Sequence, residues 1–169
     1  YVKREGPVVF VAALDPAPLA EVTPVGVALR DLVLTSDIFT QHIELLTKTG
    51  FSLTLIKHEE DGRIRWTTGD GHVVEPRMMT DFLGAVIALD AQDLGRPVED
   101  VSAVNLDYVT LRLQPPPGQG GEGWPRLVRI GAPDGSGSVE AVVNTRNRVY
   151  TMPEQALTDL LARAREIYD

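Results

Sequence analysis

Cysteine is absent from this chain of 169 residues, which excludes disulfide bonds and thiolate–zinc sites. Long apolar runs are also lacking: no stretch reaches the roughly 18 consecutive apolar residues that predict a membrane-spanning helix. Positive charge is scarce, with 16 Lys and Arg against 24 Asp and Glu and a formal net charge of −8. Because phosphate binding needs a concentrated basic surface, this balance argues against nucleic acid as a partner.

The rest of the composition predicts a folded domain. Hydrophobic residues make up 43% of the chain and charged residues 24%, which is ordinary globular usage. A chain of this length can build one sizeable core, or two small lobes that share one. We therefore expect an N-terminal segment over residues 1–24 and a single domain over residues 25–169, made of two similar lobes at about 25–95 and 105–169.

Two parts of the chain follow the same plan of short alternating strands, a tight turn and a proline-started amphipathic helix. They span approximately residues 51–90 and 108–169. Both contain the pattern Pro…Thr-Asp-(Phe/Leu)-Leu, which begins at Pro76 in the first and at Pro153 in the second, with an offset of one residue. This likeness predicts a duplicated strand-strand-helix unit.

Alternation of apolar and polar residues marks the strands. Residues 51–57 show the period-two pattern of a half-buried strand and form a predicted hairpin with residues 43–46. The dipeptide Asp61-Gly62 has the composition of a tight turn that needs positive φ, and it leads into a further strand. The other predicted strands lie at residues 25–35, 63–67, 108–114, 127–130, 139–143 and 149–150.

Two helices complete the predicted fold. Apolar residues recur at helical spacing after Pro76 and again in the closing helix. They are Met79, Phe82, Leu83, Val86 and Ile87 in the first helix, and Leu157, Leu160, Leu161, Ala164 and Tyr168 in the second. Residues 114–125 hold four prolines and four glycines, so they predict an exposed connection without regular structure. The chain as a whole predicts an α+β fold, mainly antiparallel sheet with the amphipathic helices on one side of it.

One glycine-rich motif invites a nucleotide-binding interpretation. The spacing Gly118-x-Gly120-x-x-Gly123 formally matches the dinucleotide fingerprint, which needs a helix N-terminus directly after it to hold the pyrophosphate. Here Trp124-Pro125 and another predicted strand follow instead. We interpret the motif as part of a surface loop and predict no cofactor.

The histidines suggest a second, enzymatic hypothesis. His42, Asp70, His72 and Glu75 would have to converge to form a metal or general-base site. Their spacing matches no metalloenzyme pattern, such as two histidines one helical turn apart. We therefore predict no catalytic and no metal-ligating residue.

Arginines on the predicted strands are the candidate contacts for a partner. If these strands are neighbours, their arginines, which include Arg63, would form a basic face that binds carboxylate or phosphate. Alternatively, they pair with Glu44 and Glu140 as a solvated face. An aromatic side chain in the glycine-rich loop is a further candidate as an interface anchor. The candidate contact residues are Arg65, Arg112, Arg129, Arg148 and Trp124.

Short segments spread over residues 14–169 form an ordered pattern. They are Leu14-Asp15-Pro16, Ile43-Glu44-Leu45-Leu46, Phe51-Ser52-Leu53-Thr54-Leu55, Arg65-Trp66-Thr67, Val128-Arg129-Ile130-Gly131 and Arg148-Val149-Tyr150-Thr151. This pattern resembles the DUF4340 family, a family of domains of unknown function. Its members carry such repeated units outside the cytoplasm, behind an N-terminal membrane helix, and many are associated with ABC-type transport or are gliding-motility auxiliary proteins. No catalytic residues are established for the family.

The resemblance implies a location and a role. The chain begins at Tyr1 rather than Met, so we expect a cleaved signal or a missing membrane anchor before it, with residues 1–5 as a juxtamembrane stub. We expect a non-enzymatic, extracytoplasmic interaction or scaffold domain of a membrane-associated envelope complex, on the periplasmic side, with complex subunits as protein partners. The alternative is a binder of a small anionic ligand or a lipid headgroup.

Overall fold

The structure is a computed structural model that describes residues 2–3, 9–10, 32–33, 40–116, 118 and 125–168. Its helices and strands, numbered in chain order, are β1 (Val2–Lys3), β2 (Val9–Phe10), β3 (His42–Thr47), β4 (Ser52–Glu60), β5 (Arg63–Thr68), α1 (Pro76–Ile87), β6 (Arg96–Pro97), β7 (Val109–Gln114), β8 (Arg126–Ile130), β9 (Ser138–Val143), β10 (Arg148–Pro153) and α2 (Glu154–Tyr168). A short 3₁₀ helix, Val101–Ala103, lies between β6 and β7.

Eight strands form one antiparallel sheet in the order β5-β4-β3-β7-β8-β9-β10-β6. β3 pairs with β4 on one side and with β7 on the other, so it joins the strands of the two halves of the chain. β1 and β2 pair separately as a two-stranded sheet. The predicted α+β class and the predominance of antiparallel pairing are confirmed.

Alternate residues of the central strands enter the larger hydrophobic core. Ile43 and Leu45 of β3 and Leu111 of β7 are buried, because successive side chains of a strand point to opposite faces. Phe82 of α1 and Leu160 of α2 belong to the same cluster. The predicted stripes therefore contain the buried residues of both helices, but Tyr168, at the end of the second stripe, is 64% exposed because it lies in the last turn.

A smaller core lies against the other face of the sheet. It contains Val142 of β9 and Val149 of β10, which are paired across the two strands. Val101 of the 3₁₀ helix and Leu106 after it cover this pair. The segment between β6 and β7 therefore folds back over the sheet.

The turn between β4 and β5 is the tight hairpin that the sequence predicts. Asp61 has φ 52° and Gly62 has φ 71°, and Glu60 pairs with Arg63 on either side of them. Aspartate and glycine adopt this left-handed conformation more readily than other residues.

Some predictions fall largely outside the described residues. Of the predicted strand at 25–35, the structure describes only Leu32 and Val33, and both are buried in the larger core. Of the glycine- and proline-rich connection, it does not describe residues 117 and 119–124, which include Trp124.

The 3₁₀ helix gives a pH-dependent prediction. The carboxylate of Asp100 accepts hydrogen bonds from the backbone N–H of Ser102 at 2.8 Å and from its hydroxyl at 2.6 Å, and these bonds lower the pKa of Asp100. Because the folded pKa lies below the ordinary value of 3.8, this stabilisation is present above that pH and is lost as the pH falls through the folded pKa. Asp100→Ala should therefore lower the thermal midpoint at pH 7, and the difference from the parent should shrink toward pH 3.

Glu99→Ala is the matched control for this prediction. Glu99 is the exposed neighbouring carboxylate, and no described residue donates a hydrogen bond to it. Its removal should change the midpoint much less at either pH. Melting curves that show the same deficit for Asp100→Ala at pH 3 and pH 7 would contradict the assigned role of the carboxylate.

Candidate functional site

Two of the candidate arginines hold the structure together. Arg129 donates a hydrogen bond to the carbonyl of Val104 at 2.8 Å and another to the carbonyl of Val101. Arg148 donates to the carbonyls of Leu94 at 2.9 Å and Gly95 at 2.7 Å. Both guanidinium groups therefore fasten a returning loop to the sheet.

A third candidate is paired within the sheet. Nη1 of Arg112 lies 3.6 Å from Oε2 of Glu44, its partner across β7 and β3. The other carboxylate oxygen, Oε1, lies 3.8 Å from Nε2 of His42 on the same face of β3. Nε2 of His42 is buried and has no hydrogen-bond partner among the described residues. Glu44 thus balances the charge of Arg112, as the solvated-face interpretation expects.

The candidate arginines do not form one basic face. β4 and β3 lie between Arg65 on β5 and Arg112 on β7, which places the two arginine strands roughly 14 Å apart. Val149 pairs with Val142, and Val142 pairs with Arg129, so these three side chains share one face of the sheet. Arg148 is the neighbour of Val149 in β10 and therefore projects from the opposite face. Arg112 and Arg129 lie on the same face of the neighbouring strands β7 and β8, but the four arginines together do not form one basic face.

The different roles of Arg129 and Arg112 predict different effects on stability. Arg129→Ala removes two charge-assisted hydrogen bonds to carbonyl groups, each of which keeps a backbone N–H donor, and should lower the free energy of unfolding by about 1–3 kcal/mol. Arg112→Ala removes a half-exposed ion pair and should cost about 1 kcal/mol or less. Urea unfolding of both variants measures the difference, and equal costs would contradict the structural role of Arg129.

Arg65 differs from the others because its charge is not balanced. Arg65 and Arg63 are exposed and project from the same face of β5, two residues apart. Neither forms an ion pair or a side-chain hydrogen bond within the part of the chain that the structure describes. They line an open cavity of about 580 Å³ together with His58, Glu60, Asp61 and Ile64.

The backbone of β5 is also partly free. β5 is the last strand of the sheet, and one end of its outer side is covered by the chain that follows it. There the N–H of Val74 donates to the carbonyl of Trp66 at 2.9 Å, and the N–H of Thr68 donates to the carbonyl of His72 at 2.8 Å. No described strand pairs with the outer side of residues 63–65, which we call the open edge.

The residues next to the open edge show which of its backbone groups point outwards. The outward groups of Trp66 and Thr68 show that even-numbered residues of β5 direct their N–H and C=O away from β4. Ile64 therefore presents both of its backbone groups outwards. Its side chain is 59% exposed and lies on the face opposite to that of Arg63 and Arg65.

The opposite edge of the sheet is closed in a different way. It is formed by β6, which has two residues, one of them Pro97. Proline has no N–H to donate, and such short strands are a common way to prevent further pairing. The two edges of this sheet are therefore unequal.

The residues of the enzymatic hypothesis do not converge, because His72 and Asp70 lie together and His42 lies apart from them. His72 lies in the turn after β5, with Nε2 3.4 Å from Oδ2 of Asp70. His42 lies on β3, beyond β4 and β5. The hydroxyl of Thr68 donates to Asp70, and this bond, with a smaller effect from His72, lowers the pKa of the Asp70 carboxyl. Within the described residues, no group of three His, Asp or Glu side chains could hold a metal ion.

Of the arginines assigned to the predicted basic face, Arg63 and Arg65 form no ion pair within the described residues, while Ile64 was not among the predicted contacts. Neither helix in the described part of the chain is long and apolar enough to cross a bilayer. No family model, curated protein or solved structure matches the chain.

Proposed function

We propose that this chain is a protein-interaction domain that uses the open edge of β5 to join an extracytoplasmic complex at the membrane. The observation that carries the proposal is the inequality of the two sheet edges. One edge is closed by Pro97, whereas the other exposes Ile64 with outward backbone groups and two arginines that form no ion pair with any described residue. A strand with free N–H and C=O groups is a template for pairing with another chain.

The location and the non-enzymatic role rest on the resemblance to the DUF4340 family. Its members lie outside the cytoplasm behind a membrane helix, and no catalytic residues are established for them. A scaffold role would use the sheet as a rigid platform and the open edge as the contact. Subunits of an ABC-type transport complex are the partners that the resemblance favours.

A duplicated unit would explain how such a platform arose. In the two helices, Met79 corresponds to Leu157 and Phe82 to Leu160, and all four side chains are buried. The hydroxyl of Thr80 donates to the carbonyl of Pro76 at 2.8 Å, and that of Thr158 to the carbonyl of Glu154 at 3.1 Å. We include in the proposal that the two strand-strand-helix units are related by duplication and place their helices on one side of the sheet.

Binding of a small anion or a lipid headgroup is the second candidate function. The cavity beside Arg63 and Arg65 favours it, because guanidinium groups bind phosphate and carboxylate. However, Glu60 and Asp61 line the same cavity, and their charges oppose a small anion. Flotation with vesicles of anionic phospholipid at low and high salt separates the two functions, because a headgroup site requires co-flotation that salt abolishes.

The proposed function is tested by photo-crosslinking in cells with the full-length protein. A photoreactive amino acid is placed at Ile64 on the open edge, and in a control protein at Leu94, which is 42% exposed next to β6. We expect a discrete adduct from position 64 in the membrane fraction, and no such adduct from position 94. A protein that is recovered alone in the soluble fraction, without an adduct from either position, would overturn the proposed function.

A further inference from the structure

We infer that the open edge binds an extended segment of another protein in which acidic and apolar residues alternate, and that this segment joins the sheet as a ninth strand beside β5. The inference rests on the proposed function, since it specifies the chemistry of the partner at the same surface. Its first support is the backbone of Ile64, whose outward N–H and C=O offer the pairing that strand addition requires.

The side chains of β5 set the pattern of the partner. Arg63 and Arg65 project from one face, and Ile64 projects from the other. In an added strand, residues opposite Arg63 and Arg65 would lie on the arginine face, where a carboxylate balances each charge. The residue opposite Ile64 would lie on the other face, where an apolar side chain covers an isoleucine that is now 59% exposed.

Charge also argues against a second copy of this chain as the occupant. A symmetric antiparallel pair centred on Ile64 places Arg63 opposite Arg65 of the other copy. If the register moves so that Ile64 of one copy faces Trp66 of the other, Arg65 lies opposite Arg65 of the other copy. Like charges directly opposite each other destabilise paired strands, so the arginines that attract an acidic segment also oppose self-association.

The test uses a capped heptapeptide of alternating glutamate and valine, and a matched peptide of alternating lysine and valine. Binding to the isotope-labelled protein is followed by NMR, with the hydrogen exchange of the Ile64 amide as the readout of strand addition. We expect the glutamate peptide to slow this exchange and to bind roughly ten times more tightly than the lysine peptide. Raising the salt from about 50 to 500 mM should weaken the binding several-fold.

Variants of the protein separate charge from backbone pairing. Arg63→Ala and Arg65→Ala should each weaken binding of the glutamate peptide about 2–5-fold. The double variant Arg63→Glu/Arg65→Glu should prefer the lysine peptide. Arg112→Ala is the matched control, because Arg112 projects from the same face but is paired with Glu44, and it should leave binding unchanged.

Ile64→Pro removes the outward N–H without removing a bond to β4, so it should abolish binding. If this variant does not fold, the same question is answered with peptides that carry N-methyl groups on either alternate set of amides. Methylation of the set that faces β5 should abolish binding, and methylation of the other set should not.

Three outcomes would overturn the inference. The first is no protection of the Ile64 amide at millimolar glutamate peptide, and the second is equal binding of the two peptides. The third is a concentration-dependent dimer in sedimentation that protects Ile64 without peptide, since the occupant would then be a second copy. An adduct from position 64 in membranes together with a failed peptide test would leave the proposed function standing and remove only the acidic segment.

Discussion

Replacing Phe82 with alanine is expected to lower the free energy of unfolding by about 3–5 kcal/mol. Phe82 is 0% exposed and belongs to the core cluster formed by the sheet and both helices. Truncation removes most of the ring's buried area and leaves a cavity that packed neighbours fill only in part. Since domains of this size are stable by only about 5–15 kcal/mol, the variant should be close to unfolding at moderate temperature.

Met78→Ala on the same helix is the control for Phe82→Ala. Met78 is 37% exposed, so its truncation should cost about 0.5 kcal/mol or less. Both variants are measured by urea unfolding followed by tryptophan fluorescence and circular dichroism. Similar costs for the two substitutions would mean that α1 does not pack against the sheet through the face that contains Phe82.

Gly95→Ala is expected to lower the free energy of unfolding by about 2–5 kcal/mol. Gly95 has φ 72°, and a Cβ atom there would lie 2.8 Å from two ring carbons of Tyr150 and 3.1 Å from Cβ of Arg148. Tyr150 is buried in the larger core, so its ring has little freedom to move away. The carbonyl of Gly95 also accepts a hydrogen bond from Arg148, which a shift of this loop would break.

Gly62→Ala separates the two causes of the damage expected at Gly95. Gly62 has nearly the same φ, 71°, but a Cβ atom there would meet nothing within 4 Å. Its substitution should therefore lower the free energy of unfolding only through backbone strain, by about 1–2 kcal/mol. A thermal scan that shows equal losses for the two variants would contradict the close approach of Gly95 to Tyr150.

Local features of the fold could be predicted because their causes are local. The hairpin from β4 to β5 follows from Asp61-Gly62, two residues that tolerate positive φ between two alternating strands. The buried faces of α1 and α2 follow from the spacing of their apolar residues. In both cases a few neighbouring residues determine the result.

Strand order could not be predicted, because it depends on contacts between distant residues. β3 pairs with β7, although more than 60 residues lie between their positions in the chain, and no turn signal indicates this pairing. For the same reason, the roles of the arginines could not be predicted from the sequence. Arg129 and Arg148 bond to carbonyls of loops that return to the sheet, which no periodicity in the sequence reveals.

The open edge could be predicted in part. The two-residue turn at Asp61-Gly62 makes Glu60 and Arg63 a paired position, so the sequence already implies that Ile64 directs its backbone groups away from β4. That β5 is the last of the described strands in the sheet required the structure, because the sequence does not indicate which strand lies at the edge. Ile64 was missed for this reason, and Arg63, which was assigned to the predicted basic face, was not linked to a free strand edge.

Hydrogen exchange at the Ile64 amide in the full-length protein, measured alone and in native membranes, decides whether the open edge binds the partner. If the open edge is the surface that joins the complex, this amide should exchange rapidly in the isolated protein and at least about 100-fold more slowly in the membranes, as expected for a backbone group that gains a stable partner. The amide of Arg96 in β6, at the closed edge, should change little. Rapid exchange of Ile64 in both states, together with new protection elsewhere on the domain, would show that the protein meets its partner through a different surface.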